Sequence, residues 1–257
     1  MLHVFVGYDP REHEAYEVCR HSILRHSNEP TVVTPLKLPS LCASGLYTRQ
    51  CNWNEDRTQR FDVLDGKPFS TDFSFSRFLV PEIARRNGLT GWVMFVDCDF
   101  MFFDGVEWLF DGVEGQEADI AVVKHNYVPA HARKMDNQIQ EPYNRKLWSS
   151  LMLFNVHSSA CRRLTPELVN SASGAYLHGL QWVDDDRIGT LSELWNWIPG
   201  VSPTTGNVPN ASVRAVHWTE GGPCLPGYEN VLFAPEYAKE LALVHASRFS
   251  WDKAVKL

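Results

Sequence analysis

Apolar residues fall along this chain in short blocks, and the blocks alternate between strand-like runs and helix-like spacing. Leu2–Val6 is an apolar run closed by Gly7-Tyr8-Asp9-Pro10, which predicts a buried strand and a turn. From Arg11 to His26, Ala15, Cys19 and Ile23 recur at four-residue spacing on one face of a helix. Thr31–Leu38 is β-branched and reads as a strand; Pro35 lacks an N–H for a ladder and predicts an edge position. Residues 39–72 are polar and irregular, with Tyr47 and Trp53 embedded. A stretch of that length in a compact domain carries function or hides elements of its own. Phe73–Arg86 places Phe75, Phe78, Leu79 and Ile83 on one helical face, Pro81 must kink or divide that helix, and Asn87-Gly88 stops it. Trp92–Val96 is the strongest buried-strand signal. Ala118–Lys124 and Ser150–Val156 are further apolar strands, Tyr176–Leu194 reads as mostly helical, Val213–Trp218 as a short strand and Pro235–His245 as the last helix. Strands alternating with helices predict an α/β layered fold. No repeat or linker divides the chain, so one domain over residues 1–257 is expected.

Composition narrows the classes. Hydrophobic residues make up 44% and charged residues 21% of the 257, which excludes disorder as the main state. The formal charge of −7 weighs against nucleic acid as a partner. No apolar run reaches the ~20 residues of a membrane helix, and the start lacks the basic flank of a signal peptide. The six cysteines are scattered without a CxxC pair, so a reduced, cytoplasmic protein is expected. Phe249 to Lys256 mixes aromatics and lysines, which allows a weak peripheral contact with a membrane surface, although a frayed helix end explains it too.

The chemistry concentrates at Val96-Asp97-Cys98-Asp99, directly after the strongest strand. Alternation puts Asp97 and Asp99 on one side. Two adjacent carboxylates repel, and a divalent cation such as Mn²⁺ or Mg²⁺ relieves that repulsion. The end of a strand in an α/β sheet is where ligands bind. His217 follows another short strand and opens Trp218-Thr-Glu-Gly221-Gly222-Pro; an imidazole suits Mn²⁺, and paired glycines let backbone approach a phosphate. Arg77, off the apolar face of its helix, can reach outward to a diphosphate or a sugar. Asn155 ends an apolar strand, and Asp184, Asp185 and Asp186 form an acidic run. A solvated arginine, a turn amide and a helix-start acid cluster are the bland readings of these last three.

In this order the elements resemble a GT-A glycosyltransferase, a single Rossmann-like domain with a mixed central sheet flanked by helices. The nearest pattern is that of the retaining family-eight enzymes, the glycogenin and bacterial galactosyltransferase group. Gly7-Tyr8-Asp9 is similar to the turn that receives the nucleotide base. Ser76-Arg77-Phe-Leu-Val-Pro81 is similar to the segment before the DxD, and Asp97-Cys98-Asp99 to the DxD itself. Asn155 matches the strand ending in Asn, and Leu191 to Trp195-Asn196 the turn before the last motif. His217 matches the start of the C-terminal motif, but the lysine of that motif has no counterpart after it. The Asp-Gln pair is also absent, with Asp184 and Asp185 as approximate counterparts.

The resemblance implies a metal held by Asp97, Asp99 and His217, a nucleotide-sugar donor such as a UDP-sugar, and a hydroxyl acceptor in a glycan, lipid or small molecule. It implies hexosyl transfer with retention. Gly7, Tyr8, Asp9, Arg77, Gly221 and Gly222 would bind the donor, and Arg77, Asn155, Asp184 and Asp185 would serve catalysis. Two other enzyme classes share parts of this pattern. A haloacid-dehalogenase-type phosphatase also uses Asp-x-Asp with Mg²⁺, but it requires Thr or Val where this chain has Met101, and it places the motif on the first strand. A sugar-nucleotide pyrophosphorylase needs an Arg-containing glycine loop that Gly7-Tyr8-Asp9-Pro10 is not. A catalytically inactive nucleotide- or carbohydrate-binding protein is the non-enzymatic alternative.

Overall fold

The computed structural model describes residues 1–126, 145–202 and 212–254, with side chains up to residue 247. Its elements run β1 (Leu2–Tyr8), α1 (His13–His26), β2 (Thr31–Lys37), α2 (Leu38–Ala43), β3 (Cys51–Trp53), β4 (Arg60–Asp62), β5 (Pro68–Phe69), α3 (Val80–Arg86), β6 (Trp92–Val96), β7 (Phe100–Phe102), α4 (Glu107–Asp111), β8 (Ile120–Val122), β9 (Leu151–Asn155), α5 (Ser159–Arg163), α6 (Pro166–Ser171), α7 (Gly174–His178), β10 (Ile188–Thr190), β11 (Ala215–His217) and α8 (Ala234–Ala254).

The central sheet has six strands in the order β10-β8-β9-β6-β1-β2. It is mixed: β9 runs antiparallel to both β6 and β8, and the other pairs are parallel. Val93, Met94, Phe95 and Val96 of β6 are all fully buried, as expected for a strand covered on both faces. β2 is an edge, in keeping with Pro35, which pairs with Val6. Ala15, Cys19 and Ile23 of α1 are buried beneath the sheet.

The segment from Phe73 is divided, one of the two outcomes expected of Pro81: a 3-10 turn at Ser76–Leu79 gives way to α3, with Pro81 in its first turn, where a missing N–H costs nothing. One prediction is corrected. The segment predicted as mostly helical from Tyr176 to Leu194 is instead α7, a turn, the parallel strand β10 and two 3-10 turns. Ile188 and the residues around it pair with β8, and tertiary pairing overrides the local pattern there. The polar stretch 39–72 holds α2 and a small antiparallel sheet, β3-β4-β5. That sheet is tied down by Arg49 and Asp62, both buried, in a two-point ion pair with two 2.7 Å bonds.

A main apolar core spans both faces of the six-stranded sheet. A smaller one joins Val18 of α1, Met101 of β7, Val216 of β11 and Tyr237 of α8. Among the described residues no helix is long and apolar enough to cross a membrane. The side chains of Phe249 to Lys256 lie outside the described residues.

Candidate active site

The site is built where β6 ends. Asp97 follows Val96, its N–H donates to Ser150 O (2.9 Å), and the chain turns through Cys98 and Asp99 into β7. Asp97 and Asp99 are partly exposed, while Cys98 between them is fully buried and donates to Glu12 Oε2 (2.9 Å). Burial, with the negative charges of Glu12 and Asp99, pushes the Cys98 thiol well above its ordinary range. It remains a thiol, and the two carboxylates face the other way.

His217 reaches them through strand register. β7 pairs antiparallel with β11, which sets His217 opposite Phe100, one residue beyond Asp99. Trp218 N–H donates to Asp99 O (3.0 Å) and closes the pair. The imidazole is buried and stacks on Phe100, centroids 4.2 Å apart. Its tautomer follows from a chain of donors. Ser150 Oγ donates to Leu147 O (2.7 Å) and therefore accepts from Asn196 Nδ2 (2.9 Å). The Asn196 amide oxygen is thus turned to His217 Nδ1 at 2.9 Å, and only a protonated Nδ1 can donate to it. That leaves Nε2 facing Asp99 Oδ1 at 3.4 Å.

One donor atom from each of Asp97, Asp99 and His217 lies within 4.8 Å of the others. Bonds of ~2.1 Å to one hard cation span nearly that distance. Two carboxylates, an imidazole with Nε2 turned toward them and a buried amide holding Nδ1 form a fitting donor set with an outer support.

Arg77 is corrected in place. It does not reach outward; it is buried between the rings of Phe73 and Phe95, and Nη1 lies 2.8 Å from both Ser149 O and Asp97 Oδ1. Asp9 is buried as well. It caps the 3-10 turn at Pro10–Glu12, takes Arg11 through Nη2 (2.8 Å) and accepts from the Asp72 N–H (3.1 Å). Gly7 lies inside β1, where a Cβ would come within 2.5 Å of the Phe73 ring. Tyr8 ends β1 partly exposed, packed edge-on against Tyr16. Gly221 has φ 145° and the Tyr228 ring against it, and its N–H donates to Trp218 O (2.9 Å), so that amide is not turned to a ligand. Gly222 packs on Trp218.

The structure does not bring Asn155, Asp184 or Asp185 to this cluster. β9 is antiparallel, so Asn155 pairs with Trp92 at the start of β6, and it is the beginning of β9, Ser149 to Leu151, that meets the end of β6. Asp184 and Asp185 precede β10, which is parallel to β8, and the chain there is joined to the beginning of β8 by Arg187–Asp119 (2.7 Å). Both are exposed, with Asp185 2.5 Å from Arg145 and Asp184 3.9 Å from Arg163.

The sequence reading missed the supports. Asn196 stands within the turn that follows Leu191, and nothing local in the sequence marks it as the partner of His217. His178 bonds Ser149 Oγ through Nδ1 (2.9 Å), and burial with the charges of Arg77, Lys146 and Arg49 holds its pKa well below the usual range. His125, at the end of β8, is pushed down to about 4 by burial and by His217.

No family model matches the chain. In the solved structures, a bifunctional glycosyltransferase, WbbM, superposes with a TM-score of 0.60 at 18% identity over 94% of this chain. The chain spans about half of WbbM, 49% of its length. Galactosyltransferase LgtC, solved with donor and acceptor sugar analogues, superposes with a TM-score of 0.54 at 10% identity, covering 94% of this chain and 95% of LgtC. These likenesses, with the mixed sheet, establish the GT-A fold. In sequence, Protein CDI of Arabidopsis thaliana is 39% identical over 238 residues, which cover 93% of this chain and 85% of the plant protein. At that identity and coverage, the chain belongs to the family of Protein CDI.

Proposed function

We propose that this protein is a metal-dependent glycosyltransferase that takes a nucleotide-diphosphate sugar, a UDP-sugar in the first instance, and passes the hexose to a hydroxyl acceptor. The observation that carries the reading is the convergence of Asp97, Asp99 and His217 at the end of β6. WbbM and LgtC, which share the fold, are glycosyltransferases by name. A divalent cation bound there, Mn²⁺ ahead of Mg²⁺ because of the imidazole, supplies Lewis-acid neutralisation of the leaving diphosphate.

The chain's own residues do the rest. Asp97 and Asp99 offer carboxylate oxygens, and Asn196 fixes the His217 ring so that Nε2 is the ligand atom. Arg77 holds Asp97 in place and keeps part of its charge balanced before substrate arrives. Tyr8, at the end of β1 beside β6, borders the space for the base. The bond from the anomeric carbon to the diphosphate oxygen breaks with its electron pair left on the diphosphate. The acceptor oxygen forms the new bond, and its proton leaves with the products. Retention is the outcome the sequence resemblance implies, and the anomeric configuration of the product reads it directly.

A screen of nucleotide sugars with Mn²⁺ tests the proposal, since slow hydrolysis identifies the donor without the acceptor. The parent is expected to release one nucleotide, and Asp99→Asn to lose at least a hundredfold while its thermal unfolding is unchanged. Equal release by both sinks the reading. Metal-independent binding of a nucleotide or glycan without turnover supports the inactive binding protein instead.

A further inference from the structure

His178 is a partly buried imidazole that the reaction above does not use. It ends α7, edge-on to the Phe78 ring with centroids 5.1 Å apart, and its Nδ1 lies 2.9 Å from Ser149 Oγ. The ring also bonds to the backbone of Ser74 in the sense that favours a proton, which is a bond to its carbonyl. Desolvation, with Arg77, Lys146 and Arg49 nearby, holds its pKa well below the usual range, so the ring is neutral and carries one proton. The Ser74 carbonyl takes that proton, and Nδ1 is left to accept from the Ser149 hydroxyl.

What this bond holds is the turn before β9. Arg145 and Leu147 in that turn have φ of 63° and 71°, left-handed values that strain a residue with a long or branched side chain. Such a backbone persists where its surroundings fix it. Here three consecutive side chains do so, each toward a different element. Trp148 Nε1 donates to His125 O beyond β8 (2.8 Å), Ser149 Oγ reaches α7, and Ser150 Oγ accepts from Asn196. Ser149 is the middle one, and its carbonyl accepts Arg77 Nη1 at 2.8 Å. The same nitrogen lies 2.8 Å from Asp97 Oδ1. Imidazole, serine, guanidinium and carboxylate thus stand in line.

We infer that His178 is a positioning residue for Asp97: it holds Ser149 so that Arg77 stays on the carboxylate that binds the cation. The inference rests on the metal reading above. His178 transfers no proton in this role. It supplies an acceptor at the place of Nδ1, which an apolar ring of similar size lacks and an asparagine amide oxygen provides.

The test is calorimetric titration of the metal-free whole chain with Mn²⁺ alone. The parent is compared with His178→Phe, His178→Asn, Ser149→Ala and the double variant of His178→Phe with Ser149→Ala. His178→Phe is expected to weaken Mn²⁺ binding about tenfold or more, and His178→Asn to restore it to within about threefold of the parent. Ser149→Ala removes the same bond from the other side, so it is expected to match His178→Phe, with no further loss in the double variant. A folded His178→Phe that binds Mn²⁺ like the parent overturns the inference. So do equal losses in the Phe and Asn variants, or losses that add in the double variant. If His178→Phe does not fold, Ser149→Ala carries the test, and parental affinity there overturns the inference too. A parent that binds no Mn²⁺ refutes the metal reading itself, which keeps the two failures apart.

Discussion

At the scale of single residues, the site depends on a hydrogen-bond chain that ends on a ligand nitrogen. Leu147 O, Ser150 Oγ and the Asn196 amide pass one orientation along to His217. Asn196 is fully buried, so its amide has no water to fall back on. Asn196→Asp presents an acceptor on both sides, and Asn196→Ala presents none. Either change is expected to lower Mn²⁺ affinity about 10–100-fold, the range typical for the outer support of a ligating histidine. Titration of metal-free protein with Mn²⁺ measures it, and affinity equal to the parent's would show that the ring needs no such support. The aromatic residues near the motifs have a different place: Trp182 and Trp218 are both buried, with indole N–H groups donating to Leu177 O and Leu232 O, so they serve the core.

At the scale of elements, α8 is clamped to α1 by one buried carboxylate. Glu240 takes His21 Nδ1 at 2.6 Å and Arg25 Nη2 at 2.6 Å. Burial alone would raise its pKa, but the bonds from Arg25 and His21 outweigh burial and hold it below the usual carboxylate value. The sign follows: the unfolded chain binds this proton more readily, so the clamp is fully present above the ordinary glutamate range and is lost as pH falls below it. Glu240→Gln is expected to cost roughly 1–3 kcal/mol at pH 7 and to flatten the acid limb of the stability curve. Denaturant unfolding from pH 7 to 3 measures both, and parallel curves would remove Glu240 from that role. Elements also mark where sequence reasoning ran out. Apolar runs showed β1, β6 and β9, and Pro35 showed which strand is an edge. A run does not show direction, however. Ser150–Val156 reads equally well both ways, and its antiparallel course puts Ser149, not Asn155, beside Asp97. The strand β10 was hidden because Ile188–Thr190 is only three residues long and reads as helix without its partner β8.

At the scale of the whole molecule, the six-stranded sheet has two ends with different tasks. Asp97 and His217 gather at one end; Asp119 and Arg187 stand at the other. The convergence of Asp97, Asp99 and His217 was legible in the sequence because each lies at the end of an apolar strand. The separation of Asp184 and Asp185 from them was not, since it depends on β10 being parallel to β8. Asp184→Asn and Asp185→Asn are therefore expected to keep turnover within about twofold of the parent, as for surface changes away from a site. A hundredfold loss in nucleotide release by either would return it to catalysis. The pairing of β7 with β11 has one more consequence, in the order of synthesis. Every strand of the six-stranded sheet lies within residues 2–190, whereas the imidazole sits at residue 217. On the ribosome, every strand of the sheet emerges ahead of β11, so both aspartates can stand at its rim before His217 reaches them. The nascent protein then has two of the three candidate ligands in place, and β11, the last strand among the described residues, brings the third.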